Sequence, residues 1–252
     1  MKYRTSLILY FLLGVSSAVA QIASVTNAAS FVQNTTLTPG SIITIKGTSL
    51  TNSTAQAPNP SLPPKTLAGV TLTIGGVASS IFYVSPTQIN AQIDPTVTTG
   101  LRPLVLVSPT GTKNTTVAVE NAGAPGIFTL SGSGAGDGAV INAVTFELSP
   151  FSVTTGGSPT YLAIYATGLD LSSAPQVTIG GVAVPVQFYG NAPGFLGLQQ
   201  INVQLLASLA GAGRVGVRVR AGGKTSNIVE ITILPSAGQV TSMPTEENEA
   251  RH

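Results

Sequence analysis

Val70-Thr71-Leu72-Thr73-Ile74-Gly75-Gly76-Val77-Ala78 returns later in the chain as Gln176-Val177-Thr178-Ile179-Gly180-Gly181-Val182-Ala183. In both copies apolar residues alternate with threonine and run into a Gly-Gly pair. That pair adopts positive φ without a side-chain clash, so each copy reads as a β-hairpin closed by a two-residue turn. Working outward, Gln88-Ile89-Asn90-Ala91-Gln92-Ile93 is repeated as Gln200-Ile201-Asn202-Val203-Gln204-Leu205, at a spacing of 112 residues. Upstream, Ile45-Lys46-Gly47-Thr48-Ser49-Leu50 pairs with Ile164-Tyr165-Ala166-Thr167-Gly168-Leu169, and Asn27-Ala28-Ala29-Ser30-Phe31 with Asn142-Ala143-Val144-Thr145-Phe146. Downstream, residues 104–107 and 117–119 make a hairpin around Thr110-Gly111, as 215–219 and 228–233 do around Gly222-Gly223. The 112-residue spacing is expected to hold from Gln88 to Val119.

Each unit therefore carries about seven short strands at sandwich-like spacing, and no run is long and periodic enough to be a helix. Charged residues are only 8% of the chain against a typical ~25%. Gly, Thr, Ser, Val and Ala dominate instead, which suits β-sandwiches with glycine-rich turns. The expected fold class is all-β, two tandem immunoglobulin-like β-sandwiches, the first over residues 21–130 and the second over 131–236. Ser131-Gly132-Ser133-Gly134-Ala135-Gly136 reads as part of a linker over residues 131–138.

The first twenty residues read as a signal peptide, with Lys2 and Arg4 ahead of an apolar run and Ala18-Val19-Ala20 as the cleavage pattern. Cleavage after Ala20 makes the expected localisation secreted or cell-surface. No later stretch is long and apolar enough to span a bilayer. Losing Lys2 and Arg4 takes the eleven basic residues to nine, equal to the nine acidic ones. A neutral chain whose one basic cluster, Arg214, Arg218 and Arg220, lies on a strand face does not suit nucleic acid. Cysteine is absent, so the core alone must hold the fold. Residues 237–252 lack apolar periodicity and read as a disordered tail.

Several phrases together carry a resemblance. They are Asn27-Ala28-Ala29-Ser30-Phe31, Pro39-Gly40-Ser41, Phe82-Tyr83-Val84-Ser85-Pro86-Thr87-Gln88-Ile89-Asn90, Ala124-Pro125-Gly126-Ile127-Phe128-Thr129 and Gly197-Leu198-Gln199-Gln200-Ile201-Asn202-Val203. The set resembles the acidobacterial (Solibacter-type) secreted-protein C-terminal domain, itself similar to TIG-type immunoglobulin-like domains. The resemblance implies an exported sandwich pair and supplies no catalytic residue. Little precedes the pair here, so function is expected to reside in the pair itself.

A serine triad needs a histidine, and the sole histidine is His252 in the tail. Thiolate nucleophiles and thiolate metal sites are absent with cysteine. Glycoside hydrolysis needs two facing carboxylates, to be found among Asp94, Glu120, Asp137, Glu147, Asp170 and Glu230, each beside a turn or strand edge. Asp137 and Asp170 are the candidates for calcium, but neither has a second acid nearby. No cofactor or metal is implied, and the chain is not expected to be an enzyme. Gln88, Asn90 and Gln92 share one strand face; they either meet a sugar or peptide or tie loops by hydrogen bonds to backbone, and their recurrence favours the second.

The repeats differ by insertions, where individuality belongs. The first carries a Pro/Asn/Ser-rich loop over residues 51–66; the second carries Gly190-Asn191-Ala192-Pro193-Gly194-Phe195-Leu196-Gly197. The candidate ligand-binding residues are Tyr189, Asn191, Phe195 and Gln199, since aromatics beside amides suit a carbohydrate or protein contact. Phe195 alternatively plugs a sandwich end or the interdomain seam, the reading the sequence favours. The expected partner is an extracellular protein or polysaccharide. A carbohydrate-active enzyme with an unrecognised carboxylate pair, or a passive spacer working with another exported protein, are the alternatives.

Overall fold

A computed structural model describes residues 21–33, 36–122 and 124–236; the signal-peptide and tail readings and His252 lie outside them. The described chain is all-β apart from a short 3-10 turn at Ala207–Leu209, and no described helix is long and apolar enough to cross a membrane. The first sandwich contains β1 (Gln21–Asn27), β2 (Ile42–Thr48), β3 (Ala55–Gln56), β4 (Thr66–Leu67), β5 (Val70–Ile74), β6 (Val77–Ala78), β7 (Ser80–Val84), β8 (Gln88–Gln92), β9 (Gly100–Ser108) and β10 (Gly111–Val119). Its sheets run β1-β2-β8-β7-β3 and β10-β9-β5-β4, with β6 on β5. The second contains β11 (Gly126–Ile127), β12 (Val140–Asn142), β13 (Thr154–Thr155), β14 (Ser158–Pro159), β15 (Tyr161–Thr167), β16 (Gln176–Ile179), β17 (Val182–Val184), β18 (Val186–Asn191), β19 (Gln199–Gln204), β20 (Gly213–Ala221), β21 (Lys224–Thr225) and β22 (Val229–Ile233). Its main sheets run β11-β15-β19-β18, with β12 also on β15, and β17-β16-β20-β21, with β22 on β20.

The period-two pattern becomes burial directly. Val70, Leu72 and Ile74 of β5 are fully buried while Thr71 and Thr73 between them are not. Gly75 and Gly76 take φ of 59° and 82°, and Gly180 and Gly181 take 58° and 81°, the left-handed pair that a two-residue hairpin needs. Two separate cores result, one built on Ile43, Ile45, Leu72, Ile89 and Leu104, the other on Leu162, Ile164, Ile179, Ile201 and Val217.

The repeat spacing drifts. It is 112 at Gln88 and Gln200, whose partners in the adjacent strands are the equivalent Lys46 and Tyr165. It lengthens by one at Leu104 and Val217, which pair with Ile74 and Ile179, and by two at Val119 and Ile233, which pair with Gly100 and Gly213. Turn lengths differ on either side of β9 and β20 while the strand faces stay in phase, so the alternating pattern survives.

The Gly/Ser stretch is not the interdomain linker. Gly126 and Ile127 pair with Thr167 and Ala166, and Val140 to Asn142 pair further along the same β15, so residues 128–139 loop out of a single interrupted strand. In the first repeat the same place holds only a bulge, between Ile22 and Ser24 of β1. Asn227 ties the loop down: its Oδ1 accepts from the Ile127 N–H, and its Nδ2 donates to the Ile127 and Gly134 carbonyls. Ile127 packs in the second core, ahead of residue 131 at which the second unit is expected to begin.

Candidate functional site

Asn27 and Asn142 build the same turn. Asn27 Oδ1 accepts from the N–H of Ala29 and Ser30 at 2.8 and 3.2 Å, and Asn142 Oδ1 from Val144 and Thr145 at 2.9 and 3.1 Å. Each turn forces a phenylalanine to positive φ, 54° at Phe31 and 61° at Phe146. The amide nitrogens diverge. Asn142 Nδ2 donates within its own domain, to Thr155 Oγ1, whereas Asn27 Nδ2 crosses to the carbonyls of Ala124 and Thr167 at 2.8 and 3.3 Å. Thr167 Oγ1 then accepts from the Ile42 N–H at 2.9 Å and donates to the Gly197 carbonyl at 2.9 Å. Glu120 and Lys224 close another part of the seam with a 2.6 Å ion pair, and Lys224 also bonds Thr36.

The two insertions, read separately from sequence, meet across this seam. Ser61 Oγ donates to the Gly194 carbonyl at 2.5 Å, and the Leu196 N–H donates to the Pro60 carbonyl at 3.0 Å. Phe195 stacks on Phe82 with ring centroids 5.4 Å apart and planes at 19°. Phe82 is the bulge residue of β7, where pairing with β8 slips between Ile81 and Tyr83; a bulge re-aims a side chain out of the regular alternation. The sequence signal was three consecutive large apolar residues, Ile81-Phe82-Tyr83, inside a period-two strand.

Beside the latch lies a cleft of about 750 Å³ bounded by both sandwiches, with Ser61, Gln92, Asp170, Asn191, Phe195 and Gln199 in its lining. Three of the four expected site residues therefore come together. Tyr189 does not, because it is on β18 and packs half-buried against the second core. Asn191 is exposed at the end of β18. Phe195 is 38% exposed, so its ring serves both the stack and the cleft. Gln199 is buried and committed to backbone: Oε1 accepts from the Leu169 N–H at 2.7 Å and Nε2 donates to the Leu169 carbonyl at 3.2 Å.

Phe195 also lines a second cleft of about 400 Å³, with Phe31, Phe82, Phe128, Gln88 and Asn90. Here the amide ladder departs from the expected ties to backbone. Gln88 Nε2 donates to Asn90 Oδ1 at 2.9 Å, and Gln200 Nε2 to Asn202 Oδ1 at 2.7 Å. Only Gln92 makes a loop tie, from Nε2 to the Gly40 carbonyl at 3.0 Å. Of its four rings only Phe195 is among the residues expected from sequence; Phe31, Phe82 and Phe128 are not, because a phenylalanine beside a strand reads as core.

Of the folded acids only Asp170 lines the larger cleft, where its Oδ1 accepts from the Ser172 N–H at 2.9 Å. Asp94 pairs with Lys65 at 3.1 Å, and Asp137 and Glu230 share Arg214 at 2.8 and 2.7 Å on an exposed strand face. Glu147 accepts from Thr145 Oγ1. Hydrogen bonds from Thr96 hold Asp94 below the usual carboxylate range, the Lys224 bond does so for Glu120, and Ser172 does so for Asp170. A glycosidic general acid needs the opposite shift. Asp137 and Glu230 do converge, but with a guanidinium between them. Among the described residues no three His, Cys, Asp or Glu side chains cluster as a metal site would require.

No curated protein matches the chain. Similar solved structures include the plexin A4 extracellular region, 13% identical over 92% of this chain and 20% of that one, with a TM-score of 0.29. SGBP-B from a complex xyloglucan utilization locus in Bacteroides uniformis is 12% identical over 84% of this chain and 48% of its own, with a TM-score of 0.27. A tandem pair of titin Ig domains is 9% identical over 85% of this chain and 91% of its own, with a TM-score of 0.22. The chain thus spans 20% of the plexin chain and 48% of SGBP-B. Residues 29–130, which span most of the first sandwich, match a family model described as the IPT/TIG domain.

Proposed function

We propose that the chain is an exported, non-enzymatic interaction module that binds an extracellular protein or polysaccharide at the seam between its sandwiches. The observation that carries this reading is that both insertions breaking the repeat converge on the seam and bound one cleft there. A spacer has no need of insertions that find each other, and loops on a rigid scaffold are where binding residues concentrate. The IPT/TIG assignment supports an interaction role by analogy of fold. The pairing of the acids supports a non-catalytic one. Within this reading the pair is kin to the Solibacter-type secreted domain, with residues 1–20 as its export signal, and Asn191 and Phe195 touch the ligand while Gln199 positions the loop.

The test applies the full chain to a glycan array and to immobilised extracellular proteins. A specific ligand is expected, with affinity about tenfold lower in Asn191→Ala, the loss of roughly one directional contact. Background retention in both formats, or binding indifferent to Asn191→Ala, counts against the seam. Hydrolysis of a glycan that is abolished by an Asp137→Asn or Glu230→Gln change would instead establish the carboxylate-pair enzyme.

A further inference from the structure

The smaller cleft has a chemistry of its own. Its volume, about 400 Å³, falls within the roughly 300–1,000 Å³ of small-molecule sites. Phe31, Phe82, Phe128 and Phe195 give it apolar walls, and no Asp, Glu, Lys, Arg or His is in its lining. Its polar groups are Gln88, Asn90 and the Thr44 hydroxyl. Asn90 Oδ1 is taken by Gln88 Nε2 and Thr44 Oγ1. That leaves Gln88 Oε1 as an acceptor and Asn90 Nδ2 as a donor, both without a protein partner among the described residues.

Three ligand classes fail against this set. An extended peptide captured by strand addition needs an open edge, but β8 is hydrogen-bonded on one side to β2 and on the other to β7. An alkyl chain would strand the free amide donor and acceptor. An anion would find no cation in the lining, because Lys46 stands outside it, over the Phe31 ring at 5.2 Å. A pyranose ring would meet every demand, with its C–H face against the phenylalanines and its hydroxyls donating to Gln88 Oε1 and accepting from Asn90 Nδ2.

We propose that this cleft binds a neutral saccharide unit, held by hydroxyl contacts to Gln88 and Asn90 between phenylalanine walls. The proposal rests on the interaction-module reading and names its ligand class. The second repeat supplies an internal control. Gln200 and Asn202 make the same amide pair, but the bulge position of Phe82 is taken by Gln187, and Phe146, the counterpart of Phe31, is 73% exposed. The amide pair belongs to the repeat, whereas the aromatic walls belong to the seam.

The experiment is affinity electrophoresis of the full chain through gels containing neutral glucan, mannan, xylan or galactan, with a polyuronate as the charged comparison. At least one neutral polymer should retard the protein and the polyuronate should not. Gln88→Ala and Phe128→Ala should each weaken that retardation about tenfold or more, while Gln200→Ala, which loses the matching hydrogen bond, leaves it unchanged. Melting curves establish that each variant is folded, and either cleft variant alone suffices. Absence of retardation by every neutral polymer, preference for the polyuronate, or equal losses in Gln88→Ala and Gln200→Ala would overturn the assignment. If protein binding sensitive to Asn191→Ala persists while every neutral polymer fails, the saccharide assignment falls and the module reading stands.

Discussion

Lys113 shows how one residue distinguishes the outer pole of the first sandwich from the seam. It is 6% exposed and donates from Nζ to Thr110 Oγ1 at 2.7 Å, to Ser108 Oγ at 3.2 Å, and to the Leu50 and Gly111 carbonyls at 3.4 and 3.3 Å. Thr110 Oγ1 in turn donates to the Ser49 carbonyl at 2.7 Å. The β9–β10 hairpin is thereby fastened to its own domain, at the place where the corresponding hairpin of the second sandwich meets its neighbour. Burial pushes the Lys113 ammonium below the ordinary lysine value. Unfolding restores that value, so between the two the unfolded chain binds more protons and stability rises with pH. Urea midpoints should climb through the alkaline range, up to about pH 10.5 where free lysine titrates. The Lys113-dependent part of that rise should vanish in Lys113→Met; an unchanged alkaline slope in the variant would show that the ammonium carries no burial penalty.

At the scale of elements, the β20–β21 hairpin is the clearest test of close domain contact. A Cβ on Gly222 would lie 1.5 Å from the Ala122 carbonyl oxygen, whereas one on Gly223, next to it in the same turn, meets nothing within 4 Å. Both have positive φ, 56° and 80°, so both lose about 1 kcal/mol on conversion to alanine for backbone reasons. Gly222→Ala should lose roughly 1–3 kcal/mol more, since the Ala122 backbone must shift, and equal urea midpoints for the two variants would refute the contact. Hairpins of this kind were legible in the sequence because Gly-Gly and the flanking alternation are local properties. Partnership between elements was not. Residues 131–136 have the composition of a linker whether they join domains or loop out of one strand, and only the pairing of Ile127 and Val140 with the same β15 decides. Asn191, Phe195 and Gln199 could be chosen as a group because they are close in sequence. Phe82 and Ser61, which complete the latch, are more than a hundred residues away, and nothing local announces that an insertion in one repeat complements an insertion in the other.

For the molecule as a whole, the hydrogen bonds from Asn27, Thr167 and Ser61, the Phe82 and Phe195 stack and the Lys224 ion pair act in parallel across one boundary. Each is modest alone, and the exposed ion pair contributes little. Together they oppose the relative domain motion that is the default for tandem domains, and both clefts depend on that fixed geometry. The absence of cysteine makes the decisive measurement direct, because a spin label can be placed once in each sandwich, at the exposed Thr112→Cys and Arg218→Cys positions. Pulsed electron resonance on the doubly labelled chain should give one narrow distance distribution that broadens when Ser61→Ala and Phe195→Ala are added. A broad distribution in the otherwise native chain, or a narrow one untouched by loss of the latch, would contradict a seam held by its two insertions.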